Sequence, residues 1–466
     1  MSVRLTAQQI CAATGGTLVC GLPDTVFTSI TIDSRAVTPG ALFIPLPGSR
    51  VDGHAYLNEA VQKGASGFFF SPQLATVLTS GAAGIAVRDP LTALQDLAAW
   101  HRNRLSARVI GIAGSNGKTT TKEITAQVCA VAKKTLATQG NLNNHIGLPL
   151  TLLRTEEDVE IMVLELGTSG AGELTTLCQI ARPHIGVITA VAEEHTEMLK
   201  DLAGVIAAET ELIAALPADG VAIVNGDDDA LLDVVQRLAR CRIVTFGERS
   251  TNLYRMTDIA VSRQGTCFIL HMPKGKRSIH LQLLGSPFAL AATAAVAVAI
   301  ECGLGIDEAC AALQNARGAP RRMAVIEVPE RRLTILDDCY NANPASTLQA
   351  LLTTQQVRIP GERVVLVLGD MLELGVLSYV RHCEIGEVVA ALNPPPDLLV
   401  TVGKEARVIA MRVEQANIPV HTFPAVEAAT AFVQEAVLGY TGPQLVLVKG
   451  SRGVHLEEVT RSLTAK

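Results

Sequence analysis

Short apolar runs alternate with segments of helical spacing along most of this chain. Before residue 106, apolar runs at 41–44 and 67–70 enclose a helical segment at 57–64. Further along, the same alternation gives apolar runs at 161–164, 185–188 and 221–224. Strands that alternate with helices favour parallel pairing, so the pattern predicts doubly wound α/β sheets.

The alternation starts again after a polar stretch at 316–321, which is typical of a linker. The later apolar runs, nearly continuous as expected of strands covered on both faces, are 333–336, 364–368, 398–402 and 445–448. A chain of 466 residues exceeds what one core usually supports. We therefore predict three domains: a smaller N-terminal α/β domain at 1–106, a central P-loop domain with a doubly wound parallel sheet at 107–318, and a Rossmann-like α/β domain at 319–466.

Composition narrows the class of protein. The net charge of −6 argues against a general nucleic-acid binder. The ten cysteines are scattered without a CxxC pair, as expected of free thiols in a reducing compartment. The first residues lack the apolar core of a signal peptide, and the longest apolar run, at 288–300, is too short to cross a bilayer. We expect a cytoplasmic monomer with no membrane insertion.

A glycine-rich segment at 111–120 joins an apolar strand to a helical run at 121–131. Such a junction lets backbone N–H groups and the helix dipole bind phosphate, with Lys118 on the outer phosphates and the Thr119 hydroxyl on Mg²⁺. The predicted nucleotide cradle comprises Gly114, Ser115, Asn116, Gly117, Lys118, Thr119 and Thr120. The glycine spacing differs from Walker A, because Ile112 lies six residues before the lysine. A glycine-rich turn with a surface lysine is the alternative interpretation.

Two further motifs follow predicted strands and carry possible metal ligands. Glu165 comes directly after the run at 161–164, where a carboxylate could hold the Mg²⁺ that the phosphate loop needs. His195 follows the run at 185–188 and could bind or orient the metal. A solvated glutamate and a structural histidine are the alternatives.

Residues 337–344 crowd two acids, a tyrosine, two asparagines and a proline behind a predicted strand. A turn would explain Asn-Pro but not adjacent aspartates at a buried strand end, so we predict a binding loop. The side chains expected to contact substrate there are Asp337, Asp338, Tyr340, Asn341 and Asn343. Arg452, after the last predicted strand, suits a carboxylate or phosphate clamp.

In this order, the motifs resemble those of the muramyl (Mur) ligase family of peptidoglycan synthesis. The resemblance covers nearly the whole chain and includes Asp-Ser-Arg at 33–35, the phosphate loop and Gly-Asn-Leu-Asn-Asn at 140–144. Its most specific strings are Tyr-Asn-Ala-Asn-Pro at 340–344 and Gly-Asp-Met-Leu-Glu-Leu-Gly at 369–375. These resemble the members that add D-alanyl-D-alanine rather than a single amino acid.

The resemblance implies an ATP- and Mg²⁺-dependent amide ligase acting on UDP-MurNAc-tripeptide and D-alanyl-D-alanine through an acyl phosphate. The N-terminal domain would hold the UDP-sugar peptide, with Ser34 and Arg35 on the UDP moiety. The central domain would bind ATP, and the C-terminal domain would complete the dipeptide site, with Asn343 orienting the reacting groups. Asn143 and Asn144 would also contact substrate.

The chain departs from the family pattern at three places. Glu209 stands where the family carries a carbamylated lysine, and we predict that it substitutes as a metal ligand. Pro287 replaces a histidine of the family pattern, and Ala291 replaces an asparagine that lies near the adenine in the family, so we predict that backbone groups or Asn225 hold the base. Arg322 keeps the family's nucleotide-binding arginine but lacks the preceding glycine.

Three functions fit these residues. The first is the D-alanyl-D-alanine-adding ligase with Lys118, Glu165, His195, Glu209 and Asn343 as catalytic residues. The second is an amide ligase with another amine substrate. The third is a nucleotide-binding scaffold that has lost catalysis, for which the altered segment at 285–291 is the sole support.

Overall fold

The computed structural model describes residues 4–48, 51–73, 81–194 and 196–465. Three large sheets organise it, and each is built from its own part of the chain. Apolar residues fill the inner strands of each of the three sheets, with helices against them. The α/β class and the three-domain arrangement predicted from the sequence are confirmed. The boundaries after residues 106 and 318 stay a prediction.

The N-terminal part contains a five-stranded sheet in the order β2-β7-β6-β5-β4 and a small β1–β3 pair. Strands β4 to β7 run parallel to their neighbours, whereas β2 is antiparallel to β7. Its strands are β1 Leu5–Thr6, β2 Thr17–Cys20, β3 Val26–Phe27, β4 Ser29–Thr31, β5 Ala41–Phe43, β6 Gly67–Phe70 and β7 Ala83–Ala86. Its helices are α1 Ala7–Thr14, α2 Leu57–Gln62 and α3 Pro90–Arg102.

The central part contains a nine-stranded sheet in the order β16-β15-β14-β13-β12-β11-β8-β10-β9. Its strands are β8 Arg108–Ala113, β9 Thr135–Ala137, β10 Ile161–Glu165, β11 Ile185–Ile188, β12 Val221–Asn225, β13 Arg242–Gly247, β14 Tyr254–Ser262, β15 Gly265–Met272 and β16 Gly275–Leu281. Its helices are α4 Lys118–Cys129, α5 Gly147–Leu152, α6 Glu173–Ala181, α7 Thr196–Leu199, α8 Leu202–Glu209, α9 Glu211–Ala214, α10 Asp229–Leu238, α11 Ser286–Glu301 and α12 Ile306–Ala312.

This sheet is parallel from β9 to β14 and ends in an antiparallel extension of β14, β15 and β16. The predicted parallel core is present, but the sequence pattern did not indicate the extension. The outer half of β14 alternates between more and less exposed positions, so it lacks the continuous apolar run used to identify strands.

The C-terminal part contains a six-stranded sheet in the order β17-β18-β22-β19-β20-β21, with β17 antiparallel and the rest parallel. Its strands are β17 Ala324–Val328, β18 Leu333–Asp337, β19 Arg363–Gly369, β20 Leu398–Val402, β21 Val420–Phe423 and β22 Gln444–Lys449. Its helices are α13 Pro344–Val357, α14 Ser378–Ala391, α15 Arg407–Val413, α16 Val426–Leu438 and α17 Glu457–Thr464.

Two packing features bring the functional segments together. Helix α11, which contains the predicted interior helix at 288–300, is alanine-rich, almost wholly buried and packed against α4. The buried apolar cluster around α11 continues into the C-terminal part through Ala350 and Leu351 of α13. The two parts therefore share one continuous apolar cluster, which includes residues of β8 and α4, the elements on either side of the phosphate loop. Within the described ranges, no helix combines the length and apolarity needed to span a membrane.

Candidate active site between the central and C-terminal domains

The phosphate loop connects β8 to α4 and has the backbone geometry of an anion cradle. Gly114 and Gly117 adopt φ values of 122° and 86°, which other residues rarely reach. A Cβ atom on Gly114 would lie 2.4 Å from the Thr189 hydroxyl oxygen, so glycine is required there. Helix α4 begins at Lys118 without a side-chain cap, so side chains do not occupy its first N–H groups and these can bind an anionic ligand.

Lys118 is half-buried and folded back on the phosphate loop. Its Nζ donates to the carbonyl oxygens of Gly114 at 2.5 Å and Ser115 at 3.3 Å. Burial lowers the pKa of Lys118, but the carboxylates of Glu194, Glu209 and Glu165 outweigh that effect and the pKa is raised. The ammonium group is therefore charged, and its hydrogen bonds go to carbonyl oxygens of the phosphate loop itself.

Glu209 supports the phosphate loop through a hydrogen bond to its backbone. It lies at the end of α8, is only 3% exposed, and accepts a hydrogen bond from the Gly114 N–H at 2.6 Å. Burial raises its pKa to about 7, although Lys118 and the Gly114 N–H act in the opposite direction. Glu209 does not line the cavity described below. Its carboxylate is thus placed to neutralise positive charge brought onto the loop.

Glu165 offers a buried carboxylate oxygen that has no donor. It ends β10, is 3% exposed, and accepts from Asn143 Nδ2 at 2.8 Å through Oε1. Its Oε2 makes no hydrogen bond within the described part of the chain. A buried acceptor is normally paired, so this oxygen suits a cation or a ligand donor.

A polar cavity of about 340 Å³ lies between the phosphate loop and the segment that follows β18. Predicted site residues form most of its wall: Ser115, Asn116, Gly117, Lys118, Thr119, Thr120, Asn143, Asn144, Glu165, Arg322, Tyr340, Asn341 and Asn343. The structure adds wall residues that sequence reasoning missed: His145, Thr168, Ser169, Glu173, Glu194 and Ser346. Several of them adjoin predicted residues, so adjacency within a strand-end loop was the available signal.

Asn343 brings the C-terminal domain onto the phosphate loop. Its Nδ2 donates to Asn116 Oδ1 at 2.9 Å, and its Oδ1 caps α13 through the Ser346 N–H at 2.9 Å. The cap fixes the side chain at the helix N-terminus, so its free amide edge points across the domain boundary. Residues 227 positions apart therefore meet in one wall of the cavity.

Arg322 places positive charge at the same boundary. Its guanidinium lies 4.2 Å from the centroid of the Tyr340 ring, and its buried Nε has no hydrogen-bond partner among the described residues. Nearby, Lys449 Nζ donates to Asp338 at 2.6 Å, and Asp338 accepts from the Met323 N–H at 3.0 Å. These contacts hold the start of the C-terminal domain around Arg322, leaving a donor for an anionic ligand.

A second cavity of about 340 Å³ lies on the other side of the phosphate loop and is more apolar. It shares Asn116, Gly117, Thr120, Arg322 and Ser346 with the polar cavity. Its apolar wall includes Phe246, Met256, Leu284, Pro287, Phe288 and Ala291. An aromatic base attached to phosphates on the loop would fit such a wall.

The remaining predicted residues that the structure describes lie outside both cavity walls. Asp337 is buried behind the polar cavity, and burial raises its pKa. Asn225 is buried and accepts from the Asp227 N–H at 3.0 Å. Arg452 is exposed and pairs with Glu457 at 2.7 Å. In the N-terminal domain, Ser34 is buried and Arg35 is exposed and paired with Asp33. His195 falls outside the described residues.

Comparison with known proteins assigns the class. Residues 26–102 match the model of the Mur ligase family catalytic domain, residues 112–299 the Mur ligase middle domain, and residues 321–452 the Mur ligase glutamate ligase domain. The chain therefore belongs to the Mur ligase family and is an ATP-dependent amide ligase.

Individual relatives narrow this class. The chain is 35% identical to the UDP-N-acetylmuramoyl-tripeptide–D-alanyl-D-alanine ligase of Escherichia coli K12, over 94% of each chain. It is 34% identical to the protein of the same name from Bacillus subtilis, over 99% of this chain and 98% of the relative. A crystal structure of MurF from Acinetobacter baumannii has a TM-score of 0.90 at 30% identity and full coverage of both chains. MurF from Thermotoga maritima in complex with ADP has a TM-score of 0.82 at 25% identity, over 93% of this chain and 96% of that one.

Proposed function

We propose that this ligase joins D-alanyl-D-alanine to UDP-MurNAc-tripeptide at the expense of ATP, giving the pentapeptide precursor of peptidoglycan. The observation that carries the proposal is the hydrogen bond between Asn343 and Asn116. It brings the segment at 340–344, which resembles that of dipeptide-adding ligases, against the loop that binds the phosphates. The names of the full-length relatives support the same reaction.

The residues of the polar cavity suit phosphoryl transfer followed by amide formation. The terminal carboxylate of the tripeptide attacks the γ-phosphorus of ATP, so that an acyl phosphate forms and ADP leaves. The dipeptide amine then attacks the acyl carbon, the amide forms and phosphate leaves. Lys118 and the N–H groups of the loop stabilise charge on the transferring group, and Asn343 orients the reactants.

The donor set also fits Mg²⁺. This ion takes one or two carboxylates together with hydroxyl, phosphate and water oxygens. Thr119 and Glu165 would hold it, with Glu165 Oε2 as the buried oxygen that lacks a donor. We propose that His195 and Glu209 complete or support this site, Glu209 through its contact with Gly114. When bound, the ion supplies charge neutralisation on the phosphates.

We assign the remaining predicted residues to the ends of the substrates. Ser34 and Arg35 would contact the UDP moiety, while Asn143 and Asn144 would contact the tripeptide end. The dipeptide would meet Tyr340 and Asn341, with Asp337, Asp338 and Arg452 supporting that side. Asn225 lines neither cavity, and its Oδ1 already accepts from the Asp227 N–H, so the apolar cavity, rather than Asn225, would hold the base. We further propose that the protein acts as a cytoplasmic monomer.

A product assay with a panel of amines tests this function. The protein is incubated with ATP, Mg²⁺ and UDP-MurNAc-tripeptide, and with D-alanyl-D-alanine, D-alanine or L-lysine, and products are identified by mass spectrometry. The proposal expects pentapeptide from the dipeptide and no product from the single amino acids. A product from a single amino acid alone would favour a ligase with another amine, and no product at all would favour the scaffold.

A further inference from the structure

A short acidic loop at residues 189–194 follows β11 and is fastened to the phosphate loop. The Thr189 hydroxyl donates to the Asn116 carbonyl at 2.6 Å, and the Ser115 N–H donates to the Ala190 carbonyl at 2.7 Å. The Ala192 N–H donates to the Ser115 hydroxyl at 3.0 Å. Glu194, two residues further, lines the polar cavity. Displacement of this acidic loop would therefore displace the phosphate loop as well.

The other side of the acidic loop is held by the C-terminal domain through Arg381 of α14. Its Nε and one terminal nitrogen donate to the two carboxylate oxygens of Glu193 at 2.6 and 2.7 Å. The other terminal nitrogen donates to both oxygens of Glu384, one turn along the helix, at 2.8 Å. Glu384 thus fixes the guanidinium so that its remaining edge faces the central domain, in the paired geometry specific to arginine.

Burial and a neighbouring contact support a directed interaction. The side chains of Arg381 and Glu193 are only 27% and 24% exposed, so solvent screens the pair less than an ordinary surface ion pair. The Thr196 hydroxyl donates to the Leu374 carbonyl at 3.2 Å. Thr196 lies close to Glu193 in sequence, and Leu374 lies close to Arg381, so this hydrogen bond crosses the same domain boundary. The C-terminal domain therefore contacts both the acidic loop and Thr196, the first residue of α7.

A second arginine–glutamate pair crosses the same boundary in the opposite direction and has a different setting. Arg263, in the turn between β14 and β15, donates to both oxygens of Glu362 at 2.5 Å, and Glu362 is 1% exposed. Arg263 also donates to the Thr334 hydroxyl and the Val357 carbonyl. None of these residues lines either cavity within the described part of the chain. Docking of the two domains thus has its own buried pair, so Arg381 is not needed for docking alone.

We propose that Arg381 is a positioning residue of the ligase reaction: it holds the acidic loop, and through it the phosphate loop, in place while the C-terminal domain is docked. The inference rests on the ligase function proposed above. It predicts that loss of the Arg381–Glu193 pair slows turnover more than it weakens nucleotide binding. The central domain supplies the phosphate loop by itself, whereas the reaction also needs the docked domain.

The test is a double-mutant cycle in the full-length protein with Arg381→Ala, Glu193→Ala and the double variant. For each, kcat and KM for D-alanyl-D-alanine, the affinity for ADP in the absence of the dipeptide, and the midpoint of thermal unfolding are measured. We expect kcat to fall about tenfold in each single variant and no further in the double variant, because misplaced groups slow the reaction. ADP affinity is expected to fall much less than kcat, and the unfolding midpoint is expected to stay well above the assay temperature, so that every variant is folded in the assay.

Two further variants keep the result interpretable. Arg381→Lys retains the charge without the paired donors, and we expect it to recover only part of kcat. Arg461→Ala, which removes a similar three-residue-spaced pair with Glu458 on α17, is the control and is expected to behave as wild type. Full kcat in Arg381→Ala, additive losses in the double variant, or losses matched by an equal fall in ADP affinity would overturn the proposal. If wild-type protein shows no dipeptide-dependent turnover, the ligase function fails instead.

Discussion

At the scale of single residues, the protein's own side chains give the site an excess of negative charge. Lys118 and Arg322 share the site with the carboxylates of Glu165, Glu173, Glu194 and Glu209, and the ligand to be bound is itself a polyanion. Such a site binds a triphosphate well only when a divalent cation enters with it. Burial is the main cause that raises the pKa of Glu209 to about 7, and the nearby carboxylates of Glu194 and Glu211 act in the same direction.

Glu209→Gln tests whether the negative charge of the Glu209 carboxylate is needed for turnover. The amide keeps the size of the side chain and an acceptor for the Gly114 N–H, so the nucleotide-free protein should fold normally. We expect ATP turnover at saturating Mg²⁺ to fall about a hundredfold, the usual effect of losing one well-placed electrostatic group. Glu209→Lys should be inactive without bicarbonate and partly active with it, if carbamylation restores the anion.

The control for Glu209→Gln is Glu308→Gln on α12. This variant removes an exposed carboxylate that lines neither cavity. Steady-state phosphate release is the measurement for both variants. A wild-type rate in Glu209→Gln would remove Glu209 from the metal site and leave it as a support of the loop alone.

At the scale of elements, buried polar side chains shape the loop that follows β19. Asp370 accepts from the Ala406 N–H at 2.6 Å, and His382 Nε2 accepts from the Met371 N–H at 3.0 Å. His382 Nδ1 donates to the Ser378 carbonyl at 2.7 Å, which fixes the neutral tautomer. The loop that ends near Leu374 is therefore held by α14, the same helix that carries Arg381.

This arrangement predicts a stability loss in mild acid. Burial lowers the pKa of His382, and a protonated ring would direct an N–H at the Met371 N–H. A depressed histidine pKa gives stability that is complete above the unfolded value of about 6.5 and is lost as pH falls below it. Thermal unfolding of wild type between pH 8 and pH 5 should show a steeper fall than that of His382→Gln. Equal slopes would contradict the assignment, and the pH 8 midpoints serve as the control for folding.

Strands buried on both faces were predictable, whereas contacts between domains were not. The apolar run at 185–188 coincides with β11, because a continuous apolar run leaves little choice of face. The phosphate loop was also readable, since its glycines, lysine and helix are contiguous. Arg381 and Glu193 are 188 positions apart, and no local pattern links them. The same holds for the apolar cavity, whose wall combines β13, β14, α11 and α13.

At the scale of the whole molecule, the active site exists only when the domains are docked. Asn343 contributes to the cavity wall from one domain, and Asn116 from the other. The apolar cluster around α11 and the Arg263–Glu362 pair hold the domains in this arrangement. Substrate binding at the boundary would favour the docked state by its differential affinity for it.

Arg263→Ala tests whether the Arg263–Glu362 pair holds the central and C-terminal domains together. Because it leaves the buried carboxylate of Glu362 without its cation, we expect unfolding to become easier by about 3 kcal/mol. Urea unfolding followed by circular dichroism is the measurement, with Arg277→Ala as the control. Arg277 pairs with the exposed Asp307 at the start of helix α12, and its loss should cost less than about 1 kcal/mol. Equal effects of the two variants would show that the buried pair does not secure the domains.

The most direct test of the central claim is phosphate release from ATP in the presence of UDP-MurNAc-tripeptide, measured with and without D-alanyl-D-alanine. Lys118→Ala is the inactive control. We expect release that requires the dipeptide and yields one pentapeptide for each phosphate. Nucleotide binding without release under either condition would contradict it and would favour a scaffold with an altered base pocket at 285–291.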